Sequence, residues 1–347
     1  MCNVWNFRNY STPSPAIILV GFLYLAFDLG KFTVITSTNK KRIFIYLAFA
    51  FGISWTTGLV IFLTGGLKNS PIFSFADTEI SLALILLATM YMFGPAIANI
   101  ITRILTKEGK ENLLMQPKFD YQRWKMYLAG WFMPGILTII GMVVYFLLFP
   151  GQYDSGLTML RDQISQSGSM NKLNPWFIVI VQTLQAMLLS PLLNAIPTFG
   201  EEFGWRGYLQ PKLMPLGDRK AVLLTGILWG VWHWPIILMG HNYGSDYFGA
   251  PFLGPLGMVW FTVSLSIIFG WVTIKAANVW PAVIAHGAIN GIASIGLLFI
   301  QGNPDPLIGP TPVGVVGGIG LAAAALLIFT FPNNLQSKNY KNNPVQD

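Results

Sequence analysis

The chain has 347 residues, of which 53% are hydrophobic and only 10% charged, and its mean hydropathy is +0.55. Soluble domains carry about 25% charged residues, so this composition excludes a water-soluble globular protein and points to a polytopic membrane protein. The formal net charge of +7 is read as orienting loops across a bilayer rather than binding nucleic acid, and the single cysteine, Cys2, excludes an internal disulfide and a cysteine-based metal cluster.

The expected fold class is all-α, a membrane helical bundle of about eight transmembrane helices. Only helices and closed barrels satisfy every backbone group in lipid, and the apolar runs here are continuous over ~20 residues rather than alternating. Residues 1–42 read as a poorly defined N-terminal extension or extra apolar segment. The run from Ala16 to Ile35 is interrupted by Asp28 and Lys31 and lacks a small-residue cleavage site, so it is not read as a secretory signal.

From Lys40-Lys41-Arg42 onward the pattern is regular. Spans are expected at about 43–63, 80–102, 127–149, 175–198, 221–240, 252–274, 280–300 and 313–331, and they make up a membrane core over 43–331. A polar tail follows over 332–347. If the spans alternate, one set of loops holds Arg103, Lys107, Lys110, Lys118, Arg123, Lys125, Arg206, Lys212, Arg219 and Lys220. The opposite loops hold Lys68, Arg161 and Lys172 with acidic Asp77, Glu79, Asp154, Asp162, Asp246 and Asp305. The positive-inside rule then places both ends of the eight-helix core in the cytoplasm of a protein integral to the plasma membrane.

Ionisable residues inside apolar runs are expensive and mark function. The fourth run ends in Glu201-Glu202-Phe203-Gly204-Trp205-Arg206, two carboxylates with an arginine one helical turn after the second. The fifth carries Trp229 and His233, and the seventh carries His286 and Asn290, each pair again four residues apart. Residues at that spacing share a helix face, so three helices each offer a polar face that should turn inward and meet. A carboxylate beside an imidazole can hold a water and take its proton, and an imidazole beside an amide can donate to a developing oxyanion. These are the parts needed to hydrolyse an amide without a covalent intermediate. Two histidines and a carboxylate (Glu201, His233 and His286) could instead hold zinc, although the chain lacks His-Glu-x-x-His. The favoured chemistry requires no cofactor. Gln182, Gln185 and Asn194 on the fourth run either line the same cavity or pair with neighbours.

With these three motifs in this order, the chain resembles the CPBP family, which comprises the CAAX prenyl endopeptidases and related bacteriocin-processing or immunity-associated, Abi-like membrane proteins. The resemblance covers about 43–331 as architecture and about 195–295 as motif-bearing core. It implies that Glu201 with His233 activates the water and that His286 with Asn290 forms the oxyanion site. It also implies that Glu202, Arg206 and Trp229 support them. The expected activity is endopeptidase cleavage of a membrane-associated peptide or protein in the lipid bilayer. Two other readings use the same residues: a non-catalytic bacteriocin immunity or scaffold protein, and a proton-coupled transporter with Glu201, Glu202 and His233 as its relay. Hydropathy places Glu201 shallower than His233. The helix of the fourth run is therefore expected to continue unbroken past Arg206, with Glu201 facing His233.

Overall fold

The computed structural model of the chain describes residues 34–75, 78–121, 123–166 and 174–336. Most of the expected extension over 1–42 and residues 337–347 of the expected tail lie outside the described residues. Helix α1 covers Ser37–Leu63 and starts inside that extension, because the Thr36 hydroxyl accepts the backbone N–H of Asn39 at 3.3 Å and so caps it. Lys40, Lys41 and Arg42 thus stand in the first turns of α1 rather than ahead of it.

A short antiparallel hairpin, Ile72–Phe75 paired with Thr78–Ser81, connects α1 to α2, Leu82–Leu105. The chain continues through α3, Trp124–Leu148, and the polar surface helix α4, Thr158–Gln166. The fourth apolar run is divided into α5, Pro175–Leu188, α6, Ser190–Leu193, and α7, Ala195–Gly204. After a π turn at Trp205–Leu209 it goes on as α8, Gln210–Leu213. The fifth run is α9, Asp218–Trp232, and α10, Trp234–Leu238. Then come α11, Leu253–Ala276, α12, Trp280–Ile292, and α13, Ile319–Thr330.

The protein is thus a helical membrane protein. Among the described residues five helices are long and apolar enough to cross a bilayer: α1, α2, α3, α11 and the stretch Trp280–Phe299 that begins with α12. The expected single spans at 175–198, 221–240 and 313–331 are instead shorter or interrupted helices. Proline accounts for two of these differences. Pro191 and Pro235 each lack an N–H and so remove a helical hydrogen bond to the carbonyl four residues earlier, and the helix yields close to each. In the third case Gly314, Gly317 and Gly318 precede α13 and delay its start to Ile319.

Lipid supplies no hydrophobic force between helices, so close packing at small residues holds such a bundle together. The central helix is α11, where Val259 and Val263 press on Gly230 and Gly226 of α9. A Cβ added at either glycine would lie 2.6–2.8 Å from an α11 backbone atom. Helix α12 packs against α3 with the Pro281 carbonyl over Gly130, and against α6 with Ser190 and Pro191 over Gly291 and Gly287. Helices α7, α9 and α12, which carry the three motifs, meet through buried side chains: Trp229 bonds to Glu201 and His286 to Glu202.

Candidate active site

The position of the glutamate pair begins with a broken helix. Pro191 has no N–H to offer the Met187 carbonyl, and the indole N–H of Trp131 donates to that carbonyl at 3.0 Å. The chain re-enters helix at Ala195 and is tied to α12 by two side chains. The Asn194 amide donates to the Gly287 carbonyl at 3.1 Å, and the Thr198 hydroxyl donates to the Val283 carbonyl at 3.1 Å. On its other side α7 crosses α2 at Gly200 and Gly204, a four-residue spacing of small residues that lets backbones approach. A Cβ at Gly200 would stand 2.8 Å from the Met92 carbonyl oxygen, and one at Gly204 would stand 2.4 Å from Pro95. Asn99 of α2 donates to the Phe203 carbonyl at 2.9 Å. Glu201 and Glu202 lie between the two glycines and are carried inside the bundle, 2% and 0% exposed.

The helix does continue past Arg206, as the sequence requires, by way of the π turn. Glu202 Oε1 accepts from Arg206 Nη1 at 3.0 Å, so the four-residue step yields a buried ion pair. The same oxygen accepts from His286 Nδ1 at 2.9 Å. Arg206 is wholly buried, with its guanidinium 4.4 Å from the Trp229 ring centre and 5.2 Å from that of Phe269.

Glu201 turns the other way. Its Oε2 accepts the indole N–H of Trp229 at 2.7 Å. The hydrogen-bond partner of Glu201 is thus Trp229, one turn of α9 before His233. His233 falls at the junction of α9 and α10, where Pro235 interrupts the helix. The junction is held by Trp232, whose carbonyl accepts from Tyr91 Oη at 2.6 Å and from Trp55 Nε1 at 3.1 Å. His233 Nδ1 lies 2.8 Å from the Trp229 carbonyl. A carbonyl only accepts, so Nδ1 carries the proton and Nε2 is left as the basic nitrogen. The Trp229 ring is the hub, 5.6 Å from the His233 ring and 5.3 Å from the His286 ring, centre to centre.

Five of the residues singled out from the sequence on ionisable grounds, Glu201, Glu202, Arg206, His233 and His286, are thus buried around Trp229. Asn290, one turn beyond His286 on α12, is exposed. Gln182 and Gln185 do not join this cluster. They line a separate cavity of about 260 Å³ with Ser190 and Ser294, whereas Asn194 pairs with Gly287. Among the described residues no three of His, Cys, Asp and Glu are grouped so as to hold a metal ion. Glu201, His233 and His286 in particular do not converge as a ligand set, since Glu201 is directed to the Trp229 indole and His286 to Glu202.

Sequence reasoning missed the hydrogen bonds of Trp131, Thr198 and Tyr91 that hold the site, and it missed the glycine pairs. The glycines carried a readable signal, because each motif helix has two glycines four apart: Gly200 and Gly204, Gly226 and Gly230, Gly287 and Gly291. It also missed Glu108 in the loop after α2, which accepts from Tyr208 at 2.9 Å, pairs with Lys212, and lies 3.4 Å from Arg42. Burial raises the pKa of the Glu108 carboxyl, but Lys212, Tyr208 and Arg103 more than offset this, so it titrates below the usual carboxylate range.

The family comparison falls on the same segment. Residues 175–292, which contain all three motifs, match the family model for type II CAAX prenyl endopeptidase Rce1-like proteins. CAAX prenyl protease 2 of Methanococcus maripaludis is 34% identical over 140 residues, which cover 40% of this chain and 48% of that protein. The chain thus spans about half the length of the curated relative it matches. Glu201–Arg206, Trp229–His233 and His286–Asn290 all lie inside residues 175–292, so the motif-bearing part of the chain is similar to the Rce1-like CAAX prenyl endopeptidases.

Proposed function

We propose that this protein is an intramembrane endopeptidase that hydrolyses a peptide bond of a membrane-associated peptide or protein with an activated water. The observation that carries the reading is the meeting of three helices in one buried polar cluster. One oxygen of Glu202 takes both Arg206 and His286, and Glu201 accepts from Trp229 at Oε2, which in the proposed reaction leaves Oε1 to take a proton from water. Such a cluster is costly at membrane depth, and no single ion pair requires all of it.

In the proposed reaction Glu201, assisted by the basic Nε2 of His233, takes a proton from water as the oxygen attacks the scissile carbonyl carbon. The tetrahedral oxyanion accepts from His286 Nε2–H and the Asn290 amide. His286 donates through Nε2 in its protonated form, whose charge the Glu202 carboxylate at 2.9 Å offsets. Arg206 holds Glu202 in place for that task. Collapse breaks the C–N bond, and the proton taken from water passes to the leaving amine, giving a carboxylic acid and an amine that then ionise to carboxylate and ammonium. General-base action of this kind contributes roughly 10²–10⁴ in rate. The reaction uses water alone. The topology proposed with it has eight membrane segments and both ends of the core on the cytoplasmic side of the plasma membrane.

The test has two steps. Peptide profiling of membranes with and without the protein identifies a substrate for a reporter. Glu201→Ala, His233→Ala and His286→Ala should then each abolish its processing while the protein remains folded in the membrane. Full processing by all three variants would overturn the enzyme reading in favour of a binding or immunity role. Loss of wild-type activity on chelation, restored by zinc, would overturn the water-only chemistry.

A further inference from the structure

Alongside the Gly200–Gly204 crossing, α2, α7 and the loop after α2 line a groove of about 760 Å³. That is within the range of roughly 300–1,000 Å³ typical of small-ligand sites. Its walls are almost wholly apolar, built from Phe93, Ile97, Ile100 and Ile104 on α2 and from Phe199 and Phe203 on α7. Ile100 and Ile104 are 50% and 71% exposed, so the groove opens sideways to the hydrocarbon. It is separate from the cluster around Trp229 but backed by the same helix, since Phe199 and Phe203 flank the glutamate pair in sequence.

One end of the groove differs from the rest. Arg103 Nη1 donates to the carbonyls of Gly109 and Glu111 at 3.2 and 2.8 Å, and this pins the loop after α2 across the mouth. Lys107 and Gly109 both take left-handed backbone conformations there, with φ of 51° and 72°. Lys107 and Lys110 are among the residues that line this mouth. Both are exposed, and among the described residues neither has a carboxylate within 4 Å.

From this we infer that the groove between α2 and α7 is a binding site for an anionic phospholipid, with an acyl chain between Ile100 and Phe203 and the headgroup on Lys107 and Lys110. Charge complementarity selects the occupant. A hydrocarbon chain satisfies the walls whatever its headgroup, but two unpaired ammonium groups at the headgroup end favour a negative one. Each such lysine near a membrane surface contributes about fivefold, so the pair favours an anionic over a zwitterionic lipid by at most about thirtyfold.

Native mass spectrometry of the full chain, released from vesicles of equal phosphatidylglycerol and phosphatidylcholine with the same acyl chains, tests the assignment without reference to catalysis. One phosphatidylglycerol should remain bound, in about tenfold excess over phosphatidylcholine. Lys107→Gln with Lys110→Gln should remove the preference. Ile100→Trp, which fills the groove and leaves the charges in place, should reduce the retained lipid at least tenfold. Equal retention of both lipids by the unsubstituted protein would overturn the inference. So would a preference that survives Ile100→Trp, because the lysines would then act as an open surface patch. Displacement of the lipid by a neutral isoprenoid alcohol that the double lysine variant holds equally well would also overturn it, and would assign the groove to the hydrocarbon chain of a substrate.

Discussion

Replacing Glu202 by Gln should separate the two duties of that side chain. Its Oε1 accepts from Arg206 at 3.0 Å and from His286 at 2.9 Å, and all three groups are buried. Glutamine keeps a carbonyl oxygen but loses the charge and strands Arg206 as a buried cation. Breaking a buried pair in this way costs about 3–5 kcal/mol, whereas removing both partners is often close to neutral. The cation–π contacts of Arg206 with Trp229 and Phe269 reduce the penalty without cancelling it. Thermal unfolding in detergent should therefore show a large loss for Glu202→Gln and recovery to within ~1 kcal/mol of the wild type for Glu202→Gln with Arg206→Met. Reporter cleavage should fall at least ~10²-fold in both variants, because His286 has lost its carboxylate in each. If the double variant recovers activity together with stability, Glu202 serves only to neutralise Arg206 and the role given to it at His286 is wrong.

Other consequences follow from single contacts. Gly204→Ala places a Cβ 2.4 Å from Pro95 and 2.6 Å from its backbone, where nothing can move aside cheaply. Thermal unfolding should show a loss at or above the usual ~1–3 kcal/mol of overpacking, and Gly66→Ala, which meets nothing in its path but has φ of 70°, should lose less. Trp229→Phe keeps an aromatic hub but removes the 2.7 Å indole hydrogen bond to Glu201. The kcat for the reporter should fall about tenfold with little change in KM, and an unchanged kcat would remove Trp229 from the account. Glu108 has a folded pKa below its unfolded value near 4.5, so its contribution to stability is present above that pH and is lost as pH falls further. The difference in Tm between wild type and Glu108→Gln should therefore be widest near neutrality and shrink below about pH 4.5. A constant difference would mean that the carboxylate is not stabilised by Lys212 and Tyr208.

Much of the site was legible because the four-residue step is local. It placed Glu202 against Arg206 and Trp229 beside His233 without any knowledge of the fold, and the cost of charge in lipid turned the ionisable residues of all three motifs inward, although the uncharged Asn290 stays exposed. What joins one helix to another is not encoded in that way. Nothing in the spacing says that Glu202 rather than Glu201 meets His286, or that Glu201 meets the Trp229 indole, since both outcomes depend on how α7 is rotated. That rotation follows from the Gly200–Gly204 crossing with α2 and from Asn194 and Thr198 bonding to α12. Hydropathy also reported continuous spans where Pro191 and Pro235 divide the helices, because a hydropathy window averages over a break. Those breaks explain the apparent mismatch in depth. His233 occupies the α9–α10 junction, and α7 starts afresh at Ala195 after the fourth run has bent, so the two helices need not run as parallel rods.

The central claim is that Glu201 is the group that takes the proton from water, and the isosteric change Glu201→Gln tests it most directly. Glutamine keeps an oxygen to accept the Trp229 indole, so the site should stay assembled. The rate of reporter cleavage by this variant in proteoliposomes, at matched amounts of folded protein, is the measurement. A fall of roughly 10²–10⁴ with KM little changed is the predicted result. Cleavage at the wild-type rate by folded Glu201→Gln would contradict the account.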